Sequence, residues 1–222
     1  MQKLAVRYII FTLGLYFLSL GLVLFVKSSL GTTPISSMNY VISVNSPLTL
    51  GTVTFLFNLA LILIQLWFVK GRGTRKDLIE ILLQIPFSFL MAVFIDVNMS
   101  MLWWLQPHSY PVALTVLAAG CLIQAFGVAL EIKPDVVAMS AEGTVKYAAR
   151  RFGLPFGKMK VWFDLTLVAA AAILSLSLSG QLQGLREGTA IGALCTGYIV
   201  SFFLAHLSWL MRPGSSAKIP KS

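Results

Sequence analysis

The sequence predicts an all-α polytopic membrane protein. Six transmembrane helices form two inverted three-helix repeats, each with a short polar helix or re-entrant segment after its first span. Three observations predict this. The composition comes first: of 222 residues, 57% are hydrophobic and 11% charged, where a soluble domain carries about a quarter charged. At a mean hydropathy of +0.84, the apolar surface exceeds what one globular core can hide, so part of the solvent is lipid. The second observation is that basic residues cluster at the ends of apolar runs. The third is that the chain matches itself at a fixed offset.

The first apolar run, Tyr8 to Val26, has near-spanning length and no Ala-x-Ala-like cleavage site, so it reads as a retained signal anchor. Five more runs approach the ~20 residues that a hydrocarbon core needs: Leu50 to Val69, Leu78 to Val97, Val112 to Ile132, Phe156 to Leu178 and Gly188 to Leu210. The tail from 212 to 222, RPGSSAKIPKS, reads as a disordered cytoplasmic tail.

The links between runs set the topology. Lys3 and Arg7 precede span one; Lys70, Arg72, Arg75 and Lys76 follow span two. Lys133, Lys146, Arg150, Arg151, Lys158 and Lys160 lie in the long link after span four. The other links are nearly free of Lys and Arg, and one holds Trp103 and Trp104, which suit an interfacial belt. Counting basic residues places both termini in the cytoplasm of a multi-pass plasma (inner) membrane protein. The formal net charge of +9 follows this topology, and no soluble basic domain exists to bind nucleic acid.

Sliding the chain by 106 residues sets Gly14 on Gly120, Gly21 on Gly127, Lys27 on Lys133, Gly51 on Gly157 and Asn58 on Asp164. Residues 1–106 and 107–211 are therefore expected to be two membrane repeats. Three spans per half turn the second repeat upside down, an arrangement common among transporters. After span one, KSSLGTTPISSMNYVISVNSPLTL is too polar for an ordinary spanning helix and needs protein or water to cover it. Thr32 or Thr33 can cap a helix there, with Pro34 at its first position; Asp135 or Ser140 can do so in the second half. Such helix starts suit anionic or carbonyl groups, although a surface-lying amphipathic helix also fits.

Three stretches carry a family resemblance: SLGTTPISSMNYVIS with LTLGTVTFLFNLALILI, then EIKPDVVAMSAEGTVKYAARRFGLPFGKMKVWFDL, then REGTAIGALCTGYIVSFF. Together they resemble the YczE/YyaS/YitT family of bacterial integral membrane proteins, closest to its YczE-like branch. Glu187 and Tyr198 depart from that pattern, the latter standing where proline is usual. The resemblance implies a multi-pass plasma-membrane protein, transport-related but without a generally established substrate.

Ionisable residues in or beside spans are costly in lipid and so are functional candidates. Asp164 leads them, with Lys160 one turn earlier as a partner and Asn58 as its neutral counterpart. A structural ion pair is the competing account. Glu131, Lys133 and Asp135 cluster at the end of span four; Glu142 lies in the second polar segment, spaced to pair with Lys146. Thr32, Thr33 and Lys27 complete the substrate- or ion-binding candidates. Asp96 reads as a cap or a vestibule charge, and Arg186 with Glu187 as a pair or cap.

His108 and His206 are the only histidines, Cys121 and Cys195 lie in apolar runs, and no HExxH, GxSxG or Cys-x-x-Cys motif occurs. The expectation is therefore no enzyme, no cofactor and no metal site. The expected function is a small-solute secondary transporter or facilitator whose partners are the lipid bilayer and an unknown small solute. The alternative is a non-transporting scaffold or regulator that binds a protein or lipid. A homodimer is left open.

Overall fold

The computed structural model describes residues 4–71 and 73–207. Among them the chain forms eight helices: α1 (Leu4–Lys27), α2 (Pro34–Val44), α3 (Leu50–Val69), α4 (Arg75–Met101), α5 (Tyr110–Ile132), α6 (Ser140–Phe152), α7 (Phe156–Ser179) and α8 (Glu187–His206). Six of these, all but α2 and α6, are long and apolar enough to cross a membrane. The expected tail at 212–222 lies outside the described residues, as do Lys3 and Arg72.

Local chemistry fixes the helix ends. Thr74 and Asp77 form a capping box at α4, the side chain of each taking the other's backbone N–H. Thr49 caps α3, and Asp96 reinforces that end by accepting from Gly51 N at 2.8 Å and Thr49 Oγ1 at 2.7 Å. Asp96 is thus a cap supplied by a neighbouring helix. Pro34 opens α2, where its missing N–H costs nothing. Gly153 and Gly180 end α6 and α7 in the left-handed conformation.

The element order in each half is long, short, long, long, and the offset of 106 holds to the residue over most of it. The first residues of α2 and α3, Pro34 and Leu50, correspond to Ser140 and Phe156, which open α6 and α7. The two non-glycine residues with positive φ among the described residues, Ser29 and Asp135, are also 106 apart. Each bends the chain between a long helix and the short one that follows. The offset fails only at the fourth helix, because α4 begins at Arg75 and α8 at Glu187.

Helix pairing follows the same exchange. At the centre α1 packs along α5; α2 packs on α7 as α6 packs on α3, and α1 on α4 as α5 on α8. The exception is α3 with α4, which pack closely while α7 and α8 do not. The central pair is antiparallel and crosses on four of the six glycines that match at the offset, Gly14, Gly21, Gly120 and Gly127. A Cβ on Gly14 would lie 2.7 Å from Glu131 N, and one on Gly120 would lie 3.2 Å from Gly21 O. Gly127 abuts Leu18, and Gly21 abuts Gln124, leaving no space for side chains between the backbones.

Neither short helix lies on the surface. In α6, Ser140, Gly143, Thr144, Val145, Tyr147 and Ala148 are buried, and in α2 Ser36, Ser37, Asn39 and Val41 are. Trp103, Trp104 and Tyr198 are exposed, as residues facing lipid would be. Both cysteines lie in apolar helices, but Cys121 is buried and Cys195 is exposed.

Candidate functional site

The first turns of α2 and α6 line one cavity inside the bundle. Polar contacts inside the fold hold α6 there. Gln65 and Gln84, both fully buried, exchange two hydrogen bonds of 2.9 Å, and Gln65 Nε2 also donates to Ser140 O at 3.0 Å. Ser88 and Ser140 share a hydroxyl bond of 3.2 Å. Farther along α6, Lys146 pairs with Glu80 at 2.6 Å and Arg150 with Asp77 at 3.2 Å. Lys146 therefore takes a partner on α4 rather than Glu142, which leaves Glu142 free to face inward.

Between the two helix starts lies a cavity of about 310 Å³. Its lining repeats the offset: Leu18 with Gln124, Thr33 with Met139, Ser36 with Glu142, Thr54 with Lys160, and Asn58 with Asp164 all face it. Lys160 Nζ and Asp164 Oδ1 are 2.6 Å apart, each side chain about a quarter exposed at 27% and 28%. Burial pushes the Glu142 carboxyl above its usual range; Asp164 adds to the rise, while Lys160 and the residue's own N–H oppose it. Three buried side-chain oxygens without partners among the described residues, Asn39 Oδ1, Gln124 Oε1 and Thr196 Oγ1, belong to residues that line this cavity.

The two ends of the bundle differ. At the end where α1 leads into α2, the segment before α8 is strapped across the link. Thr32 N donates to Gly184 O at 2.8 Å, Gly188 N to Leu30 O at 2.8 Å, and Arg186 Nη1 to Ser29 O at 3.1 Å. Asn45 Nδ2 donates to Gln183 Oε1 at 2.6 Å. At the opposite end Arg7 donates to the carbonyls of Pro134 and Asp135, but a vestibule of about 470 Å³ separates the start of α4 from residues 135–138. Glu131, Ile132, Met139 and Glu142 line both vestibule and cavity, so the two spaces meet at a pair of carboxylates.

The candidate residues divide accordingly. Asp164, Asn58, Thr33, Glu131 and Glu142 line the cavity, and Asp135 lines the vestibule. Thr32 is in the strap. Lys27 ends α1 and Lys133 donates to Leu204 O at 3.4 Å; neither lines the cavity. Thr33 is the N-cap of α2, but its hydroxyl bonds Ser36 Oγ at 2.9 Å instead of the backbone. The N-cap of α6 is Met139, not Asp135 or Ser140. Arg186 and Glu187 do pair, at 3.3 Å.

Asn39, Gln124, Thr54 and Thr196 are lining residues that the sequence reading did not single out. Two had a usable signal: Thr54 is the offset counterpart of Lys160, and Gln124 interrupts an apolar run. Asn39 sits among many polar neighbours in its segment, and nothing local distinguishes it.

A family model described as a family of unknown function, DUF6198, matches residues 5–205. No curated protein and no solved structure matches the chain.

Proposed function

We propose, for a chain that belongs to the DUF6198 family of unknown function, a small-solute secondary transporter or facilitator with its site in the central cavity. The carrying observation is that cavity: it is lined by the two offset-related helix starts, strapped at one end and open to a vestibule at the other. Residues 1–106 and 107–211 act as inverted repeats, and their antiparallel crossing at α1 and α5 supports this. Alternating access then amounts to moving the strap-like closure from one end to the other. The basic residues around α6 and the start of α4 argue for a cytoplasmic vestibule, with both termini cytoplasmic in a plasma membrane. The likeness to the YczE/YyaS/YitT proteins fits the same reading, and no enzymatic step is needed.

The test is flux. Purified protein reconstituted in liposomes is assayed for counterflow across a panel of small cations, anions and neutral solutes. Saturable flux of one class, lost in Asp164→Asn, is expected. Folded, reconstituted protein that moves none of them would overturn the transport reading in favour of a scaffold.

A further inference from the structure

The chemistry of the cavity specifies a charge class. Among the described residues, three carboxylates, Glu131, Glu142 and Asp164, face it with one ammonium, Lys160. Asp164 already holds that ammonium at 2.6 Å. Glu131 is 8% exposed, so its carboxylate has little water to lean on.

Several groups suited to an anion are already engaged within the protein. At α2, Pro34 has no N–H, and the Ser36 and Ser37 N–H groups both return to Thr33 O, at 3.0 and 2.9 Å. At α6, Glu142 occupies the first turn, where a carboxylate offsets the positive helix end.

A second observation points to a ligand with donors. Asn39 is 2% exposed, and its Oδ1 has no hydrogen-bond partner among the described residues. Gln124 Oε1 and Thr196 Oγ1, also lining the cavity, are likewise unpartnered. Buried acceptors left unpaired are costly, and N–H groups brought by a ligand satisfy them. Leu18, Leu22, Met91 and Val128 supply apolar wall for a short hydrocarbon body.

We infer that the cavity takes a small organic cation, an alkylammonium or alkylguanidinium. Glu131 and Glu142 offset its charge, and the free oxygens of Asn39 and Gln124 receive its N–H groups. The inference rests on reading this cavity as the solute site. Glu131 and Glu142 also stand where vestibule and cavity meet, so a cation entering from the vestibule encounters them first.

The experiment holds the body of the probe constant and varies its charge. The full chain in detergent is titrated with butylammonium, butylguanidinium, butyrate and butanol, with calorimetry and melting temperature as readouts. Saturable binding of the two cations alone is expected, weakened roughly ten- to hundredfold by Glu131→Gln or Glu142→Gln. Butyrate or butanol binding as well as the cations, or no saturable cation binding, overturns the inference on wild-type protein alone. Cation binding that is indifferent to both substitutions overturns the assigned carboxylates. Counterflow with the same probes separates the two claims. Cations that bind but do not cross leave this inference standing and sink transport; flux confined to butyrate does the reverse.

Discussion

The two halves repeat most of their helix starts around one cavity but give it different chemistry. Ser36, Thr54 and Asn58 come from the first half; at the same offset positions the second half places Glu142, Lys160 and Asp164. Helix starts and strained link residues coincide, so the frame tolerates either set. The charge is therefore not what holds the frame together. Glycine contacts along α1 and α5 do that, and charge in one half only leaves the cavity electrically lopsided. The ends show the same division: an arginine grips each strained link, Arg186 at Ser29 and Arg7 at Asp135, yet among the described residues only the first is also strapped by backbone hydrogen bonds.

Substitutions in the shared frame should have the largest effect. Gly127→Val would force a branched side chain into the Leu18 backbone, and the prediction is loss of monodisperse protein on size exclusion. A milder version uses one offset pair against itself. Gly51 abuts Ala92 O and the Asp96 carboxylate, whereas a Cβ on Gly157 meets nothing within 4 Å. Gly51→Ala should destabilise by about 1–3 kcal/mol through overpacking. Gly157→Ala should stabilise by about 0.5–1 kcal/mol through helix propensity. Equal melting temperatures for these two variants would show that the two positions tolerate a side chain alike and that the close approach at Gly51 carries no penalty.

Next in size is the erasure of one chemical difference. Asp164→Asn makes the second half match Asn58 and leaves Lys160 without its 2.6 Å partner. Because both side chains are about a quarter exposed, the expected cost is about 1–3 kcal/mol, between the surface and fully buried cases. Adding Lys160→Met should recover most of that stability but none of the flux. Recovery of both would reduce the pair to a structural role.

The frame was legible in the sequence because its signals are local or periodic. Apolar run length gave the six spans, and two of the three glycine matches at the offset turned out to be contacts between α1 and α5. The site was only partly legible. Lys27 and Lys133 match as well as the glycines do, but helical phase turns them away from the cavity. Glu142 and Lys146 have the spacing of a helical pair, and Glu80 on α4 takes the lysine instead. Asn39 shares its segment with a run of serines and another asparagine, and only the packing of α2 on α3 and α7 decides which of them faces inward. Tertiary partners, which no local pattern encodes, assign these polar groups.

The smallest predicted effect tests the lopsided charge through pH. Burial holds the Glu142 carboxyl above its usual value, with Asp164 adding to the rise and Lys160 opposing it. Glu131 faces it from α5, and Lys76 and Glu80 line the adjoining vestibule on α4. The folded protein thus keeps this proton to higher pH than the unfolded chain does. Its stability is favoured below the ordinary glutamate value of about 4.3 and falls as pH rises from there through the folded value. Glu142→Gln cannot titrate and escapes that loss. Its melting temperature should equal wild type near pH 4 and exceed it near pH 7. The excess should grow steadily with pH between those two points. Ser36→Ala, at the matching position of the neutral half, should show no such divergence. If the two variants run parallel to wild type across pH, the carboxylate is better solvated than its place between vestibule and cavity implies. The asymmetry between the halves would then carry no electrostatic strain.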